Sequence, residues 1–575
     1  HEIEGDLAIS TLFTERGDLW LKAAGSIIDG LNHDLLKVLA NNVTLIAGDS
    51  VGQATNAIEL ATRGDGVVTV DAGEDVYLAA VDGNLRVGHI KGGERVELSA
   101  LNSIIATHAD EFRGDIEAKT LQLETGFGGV GAADRLLALV TDDTAGRVDI
   151  DSADSVFVRE VKGDLRLGTV QAGPAGSTDA LAFVFSQGAI YSALGANETF
   201  NLLTAGVRLI AVKDVGTKSK VLTSRIGTLE GQSRDGKVYL NNTGHLTIHG
   251  LGLTATGDIE ITANSPITVT EDIVSADGDI VLTARENTSD ANDNEDYLHI
   301  EAGVTLDAGR DILMTAGDDL LFKANDIIVK AARHVVMKVD TPDEDQPTFR
   351  DTPEAKVELR GDWTVAGDIT LEGGDKRQTV LIAAGASLKA DSMSVALGGG
   401  DDALTQQGSL DITQQLNIAG GDGDNSVTIE GNVEAASLRI DGNAGVDTVT
   451  FNGTHQAGSL SLALGAGDNV LSVKNSLTVT DAFGVTTEEG DDRFTLDASI
   501  QTDSLSLAMG EGANTLDVTQ DLTVTAAASV TAGFGVDTVT FNGTHQADSL
   551  SLALGAGNNV LSVHNSLGVT NAFDV

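Results

Sequence analysis

From Val446 to Val485 the chain reads VDTVTFNGTHQAGSLSLALGAGDNVLSVKNSLTVTDAFGV, and from Val536 to Val575 it reads VDTVTFNGTHQADSLSLALGAGNNVLSVHNSLGVTNAFDV. The two segments lie 90 residues apart and agree at 34 of 40 positions. A shorter period runs through both. A glycine followed two positions later by Asp or Asn recurs at Gly400, Gly423, Gly445, Gly467, Gly490, Gly512, Gly535 and Gly557, in steps of 22 or 23 residues. A fixed period of about 20 to 50 residues is the signature of a solenoid, in which each repeat buries its apolar face only by stacking on the next.

The content of one period says which solenoid. TVTF at Thr448, NVLSV at Asn469, RFTL at Arg493 and NTLDV at Asn514 alternate apolar and polar residues, and so do SLSLAL at Ser459 and DLTVT at Asp521. Alternation with period two, rich in Val, Leu and Thr, is the strand signal. Short strands plus turns in each period describe one coil of a parallel β-helix, with successive coils about 4.8 Å apart. The expected fold is therefore all-β, a long parallel β-helix of 20–23 residues per coil. The crossover preference makes it right-handed.

The residue two after each turn glycine reads Asp402, Asn425, Asp447, Asn469, Asp492, Asn514, Asp537, Asn559. One residue per coil makes this a ladder. Asn between two Asp doubles the spacing of like charges, and its amide can donate to a neighbouring carboxylate. The other reading is a duplicated two-coil unit whose turn tolerates either residue.

Upstream the units are less regular. GDIEITA at Gly257, GDIVLTA at Gly278, GRDILMTAG at Gly309, NVTLIAGDSVGQATNAIEL at Asn42 and SRIGTLEGQSRDGKVYLNNTGHLTI at Ser224 repeat a theme of Gly, a polar residue and alternating aliphatics. These resemble the repeats of filamentous haemagglutinin-like adhesins, large exported bacterial surface proteins. The likeness runs from about Gly5 to Leu397, and the last third departs from it. It implies a right-handed parallel β-helix at a cell surface, serving as an adhesive or structural stalk. Host or neighbouring cell surfaces, or polysaccharide, are the partners it suggests.

Composition narrows the classes. Lys and Arg total 36 against 86 Asp and Glu, a net charge of -50, which excludes a phosphate-binding basic face and so nucleic acid as a partner. Such acidity suits solubility and divalent cations. Cys is absent, so neither disulfides nor thiolate metal sites are available. No apolar run reaches the roughly 18 residues of a membrane-spanning helix, so membrane insertion is not expected.

Three regions are expected: an irregular β-helix with loop insertions over 1–339, an acidic, proline-containing loop over 340–356, and a regular β-helix over 357–575. Neither His1–Ile9 nor Asn565–Val575 reads as a cap, because both continue the strand pattern. The expectation is further coils of the same polypeptide, or copies that stack end to end into filaments.

Two sets of residues could bind calcium. Asp290, Asn292, Asn294, Asp296 and Glu301 carry the spacing of EF-hand ligands, but Glu295 stands where that loop needs glycine. A calcium loop of another kind and a solvated acidic loop are the two readings. The turn aspartates Asp402, Asp447, Asp492 and Asp537, with Asp424, Asp468 and Asp491, are the second set. One carboxylate per turn is a thin supply for an ion that takes about six to eight oxygens. No other cofactor is expected.

His455 and His545, copies of each other in NGTHQA, read as exposed turn residues. No catalytic motif is present, and no enzymatic activity is expected. The rival reading is a β-helical polysaccharide lyase or hydrolase. It requires a groove that gathers several charged residues from neighbouring coils.

Overall fold

The computed structural model describes all residues except 32, 109–112, 265, 287–295 and 342–353. No helix occurs among the described residues. Strand accounts for 60% of the chain, and parallel strands stack as the coils of a β-solenoid of about 24 turns. Contacts divide the chain into two units, His1–Ala263 and Asn264–Val575. This parting lies upstream of the acidic loop expected at 340–356, most of which falls outside the described residues.

In the first unit one inward column runs Val76, Val96, Leu121, Val148, Leu167, each paired in register with the next and fully buried. The steps are 20, 25, 27 and 19 residues, so coils of unequal length still deliver an aliphatic side chain to the same place. Corner turns absorb the difference, because turns need no register while strands do. The unit also buries a charge: Lys37 meets Asp29 at 3.1 Å and Glu59 at 3.2 Å, with the lysine side chain wholly inaccessible.

The second unit is regular downstream of Gly398. Its column runs Val427, Val449, Leu471, Phe494, Leu516, Val539 and Leu561, in steps of 22 or 23 residues. The period of the core is thus the period of the turn glycines. The backbone shows why glycine recurs there. Gly445 and Gly467 have φ of 135° and 128°, and a Cβ on either would stand about 2 Å from the Gly carbonyl oxygen of the preceding coil. Only a residue without Cβ tolerates both the dihedral and the approach.

Candidate cation site and side-chain ladder

The Asp/Asn positions form a continuous, inward-facing ladder. Asp402, Asn425, Asp447, Asn469, Asp492, Asn514 and Asp537 are all at most 3% exposed, and Asn559 is half-buried. The contact that repeats is not between side chains. Each ladder residue's backbone N–H donates to the side-chain oxygen of the ladder residue one coil on. The distances are 3.1 Å for Asp402 to Asn425, 3.1 Å for Asn425 to Asp447 and 2.9 Å for Asp447 to Asn469. The series continues at 2.9, 3.0, 3.1 and 3.0 Å through Asp492, Asn514 and Asp537 to Asn559. Corner N–H groups that leave the strand ladder are satisfied in this way.

Asn and Asp then diverge. Nδ2 of Asn425 donates to the carbonyls of Gly421 and Gly423, and Nδ2 of Asn469 to those of Gly465 and Gly467, so asparagine ties down its own turn. Donation to a neighbouring carboxylate, expected from the sequence, occurs from Asn514 to Asp537 at 3.1 Å. The aspartates use Oδ1 alone, and Oδ2 of Asp402, Asp447, Asp492 and Asp537 is buried with no hydrogen-bond partner. Burial pushes the Asp402 carboxyl up to about 7 and raises those of Asp447 and Asp492. An Asn stands between every two of these aspartates, so the ladder does not gather carboxylates around one point. Nothing in it resembles the oxygen shell calcium takes.

A gathering of carboxylates does occur elsewhere. Glu286, Asp296 and Asp318 are all buried, and each brings an oxygen within 4.8 Å of the others. The strands explain the meeting. Asp296 and Asp318 each precede, by two residues, the paired strand residues Leu298 and Leu320, so they occupy one corner on successive coils. Glu286 follows Ala284, which pairs with Ala316, and reaches the same corner. Lys376 lies alongside, 3.0 Å from Asp318 and 3.2 Å from Asp340. Burial works against the lysine's charge, but Asp318 and Asp340 outweigh it and raise its pKa. Among the described residues, the carboxylates of Glu286, Asp296, Asp318 and Asp340 and the Lys376 ammonium gather at this corner. Three carboxylates can supply up to about six oxygens, near the number calcium takes.

Of the sequence-derived loop set, Asp296 belongs to this group and half-buried Glu301 does not. Asp290, Asn292 and Asn294 lie outside the described residues. Glu286, Asp318 and Lys376 were not singled out from the sequence. The available signal was the matching offset of Asp296 and Asp318 from paired strands one coil apart.

His455 and His545 are not exposed turn residues. Both are 2% exposed, and they fill an apolar column that reads Leu410, Val433, His455, Leu477, Ile500, Leu522, His545, Leu567. Their rings lie against Phe451 and Phe541. Burial lowers the His455 pKa to about 4 and lowers that of His545.

No protein-family model, curated protein or solved structure matches the chain. Two surface clefts bear on the enzymatic reading. A cleft of about 540 Å³, lined by Gln171, Pro174, Thr204 and Thr228 among others, holds one charged residue, Arg225. A second, of about 440 Å³, holds Asp307 and Lys330. Neither gathers carboxylates at the spacing glycoside hydrolysis uses. Among the described residues no helix is long and apolar enough to cross a membrane.

Proposed function

We propose that the chain is an extracellular structural or adhesive segment of a bacterial surface protein, a fibre or stalk of the filamentous haemagglutinin-like kind. One observation carries the reading. From Asp402 to Asn559 the coils repeat the same ladder bond, a glycine at the same turn position and the same apolar column, so the sequence is spent on repeating coils. A net charge of -50 keeps such surfaces from clumping side by side.

Calcium is proposed at Glu286, Asp296 and Asp318, whose buried carboxylate oxygens lie within 4.8 Å of one another.

The rival reading, a polysaccharide lyase or hydrolase, is tested beside this one. The purified chain is incubated with neutral and acidic polysaccharides and assayed for new chain ends. It is also imaged by electron microscopy with and without calcium. The fibre reading expects no turnover, and turnover lost on mutating a cleft residue such as Arg225 would overthrow it. End-to-end filaments in the images would show that copies of the chain self-assemble, and dispersed particles that they do not.

A further inference from the structure

We infer that Asp402, Asp447 and Asp492 each hold a proton on Oδ2 and stand in for asparagine, so that the regular coils are latched by protons and loosen as pH rises.

The argument starts from the Asn coils. At Asn425, Asn469 and Asn514, Oδ1 accepts an N–H from the preceding ladder residue, while Nδ2 donates to turn carbonyls two and four residues earlier. The Asp coils reproduce the first half of this pattern: Oδ1 of Asp447 accepts from Asn425, and Oδ1 of Asp492 accepts from Asn469. The second side-chain atom points the same way in both residue types. Nδ2 of Asn425 faces Gly420 and Oδ2 of Asp447 faces Gly442, five residues earlier in each case. Where asparagine aims a donor at the turn, aspartate aims an oxygen.

That oxygen is buried without a partner in these three coils. An ionised oxygen in a turn rich in carbonyls is unfavourable, and a buried charge without a counter-ion costs several kcal/mol, so such a group neutralises instead. A proton on Oδ2 turns the acid into the donor that the turn accepts from asparagine. It also removes the like charges that would recur every second coil.

The surroundings hold little that would stabilise the ionised form. Asp402 faces Asp401, Asp340 and Arg377. Asp447 faces Asp424, and Asp441 borders the same void. Asp492 faces Asp468, with Thr487 and the Asn469 amide drawing its pKa down. A bound cation is the competing occupant. The void beside Asp447, lined also by Asn425, Gly442 and Thr448, is about 10 Å³, which is at the lower limit for a single water. A calcium ion with its oxygen shell does not fit there.

The pH dependence follows. Burial raises the folded-state pKa, from 3.8 to about 7 for Asp402 and upward for Asp447 and Asp492. Stability from the bound protons is full below the unfolded value and is lost as pH rises through the folded one.

Infrared spectroscopy of the full chain tests the assignment. The expected result is a protonated-carboxyl C=O band at pH 6 that weakens by pH 9 and loses intensity in Asp447→Asn and again in Asp447→Asn/Asp492→Asn. Melting adds a second readout. The double variant should match the unmodified chain at pH 4 and melt on the order of a few degrees higher at pH 8. Absence of the band at pH 6 in the unmodified chain would overturn the proposal, whether or not the variants fold. So would a melting difference that does not change with pH. Stabilisation of the unmodified chain, but not the double variant, by sodium or calcium at pH 8 would place a cation on Oδ2 instead.

Discussion

The backbone N–H of Asn425 donates to Oδ1 of Asp447, one coil further along, at 3.1 Å. Asp447 passes the pattern on, donating its own N–H to Asn469 at 2.9 Å. The bond is polar in direction and indifferent to residue type, because both Asp and Asn offer Oδ1. The choice between them is made at the other side-chain atom.

Asn469→Asp tests that division. The substitution keeps the Oδ1 acceptor but removes the amide that ties Gly465 and Gly467, and it sets three acids on successive coils at 447, 469 and 492. The expected cost is about 1–3 kcal/mol at pH 8, smaller at pH 5, measured by denaturant unfolding. A cost independent of pH would assign the loss to the turn alone.

The turn glycines divide into those the fold requires and those it tolerates. Gly467→Ala places a Cβ 2.0 Å from the Gly445 carbonyl oxygen at a φ of 128°, whereas a Cβ at Gly484 meets nothing within 4 Å. Gly467→Ala is expected to destabilise by about 1–3 kcal/mol. Gly484→Ala should leave the melting temperature nearly unchanged.

His455 should impose an acid limit opposite in sign to the aspartate ladder. Its folded-state pKa is lowered from 6.5 to about 4 by burial. The unfolded chain therefore binds the proton first, and stability present above the unfolded value is lost as pH falls through the folded one. His455→Leu, which matches Val433 and Leu477 above and below, is expected to raise acid stability by up to about 3 kcal/mol. Unfolding between pH 4 and 7 reads the difference, which should vanish near pH 8.

Calcium should raise the melting temperature through Glu286, Asp296 and Asp318, and a chelator should reverse the effect. Asp296→Asn and Glu286→Gln should each weaken binding in a calorimetric titration. Calcium binding unaffected by either substitution would place the ion elsewhere.

The fold was legible because its two signals coincide. The 22- or 23-residue spacing of glycines from Gly400 to Gly557 and the alternation in runs such as TVTF belong to the same coil. His455 was misread because NGTHQA carries the residues of a turn, yet Asn452–Ala457 runs inside the strand Thr448–Gly465. The fold fixes its burial through Val433 and Leu477, visible only once the coils are aligned. The Glu286, Asp296 and Asp318 corner was less accessible still. Residues 287–295 separate the first two members in sequence, and pairing across coils, not local spacing, brings all three together.

The role proposed for this chain lies outside the cell, as part of a surface fibre. Immunogold electron microscopy of intact source cells, with antibody raised against the purified chain, tests it most directly. The expected result is label on unpermeabilised cells, displaced outward from the envelope and removed by external protease. Label seen only after permeabilisation and confined to the cell interior would contradict the account.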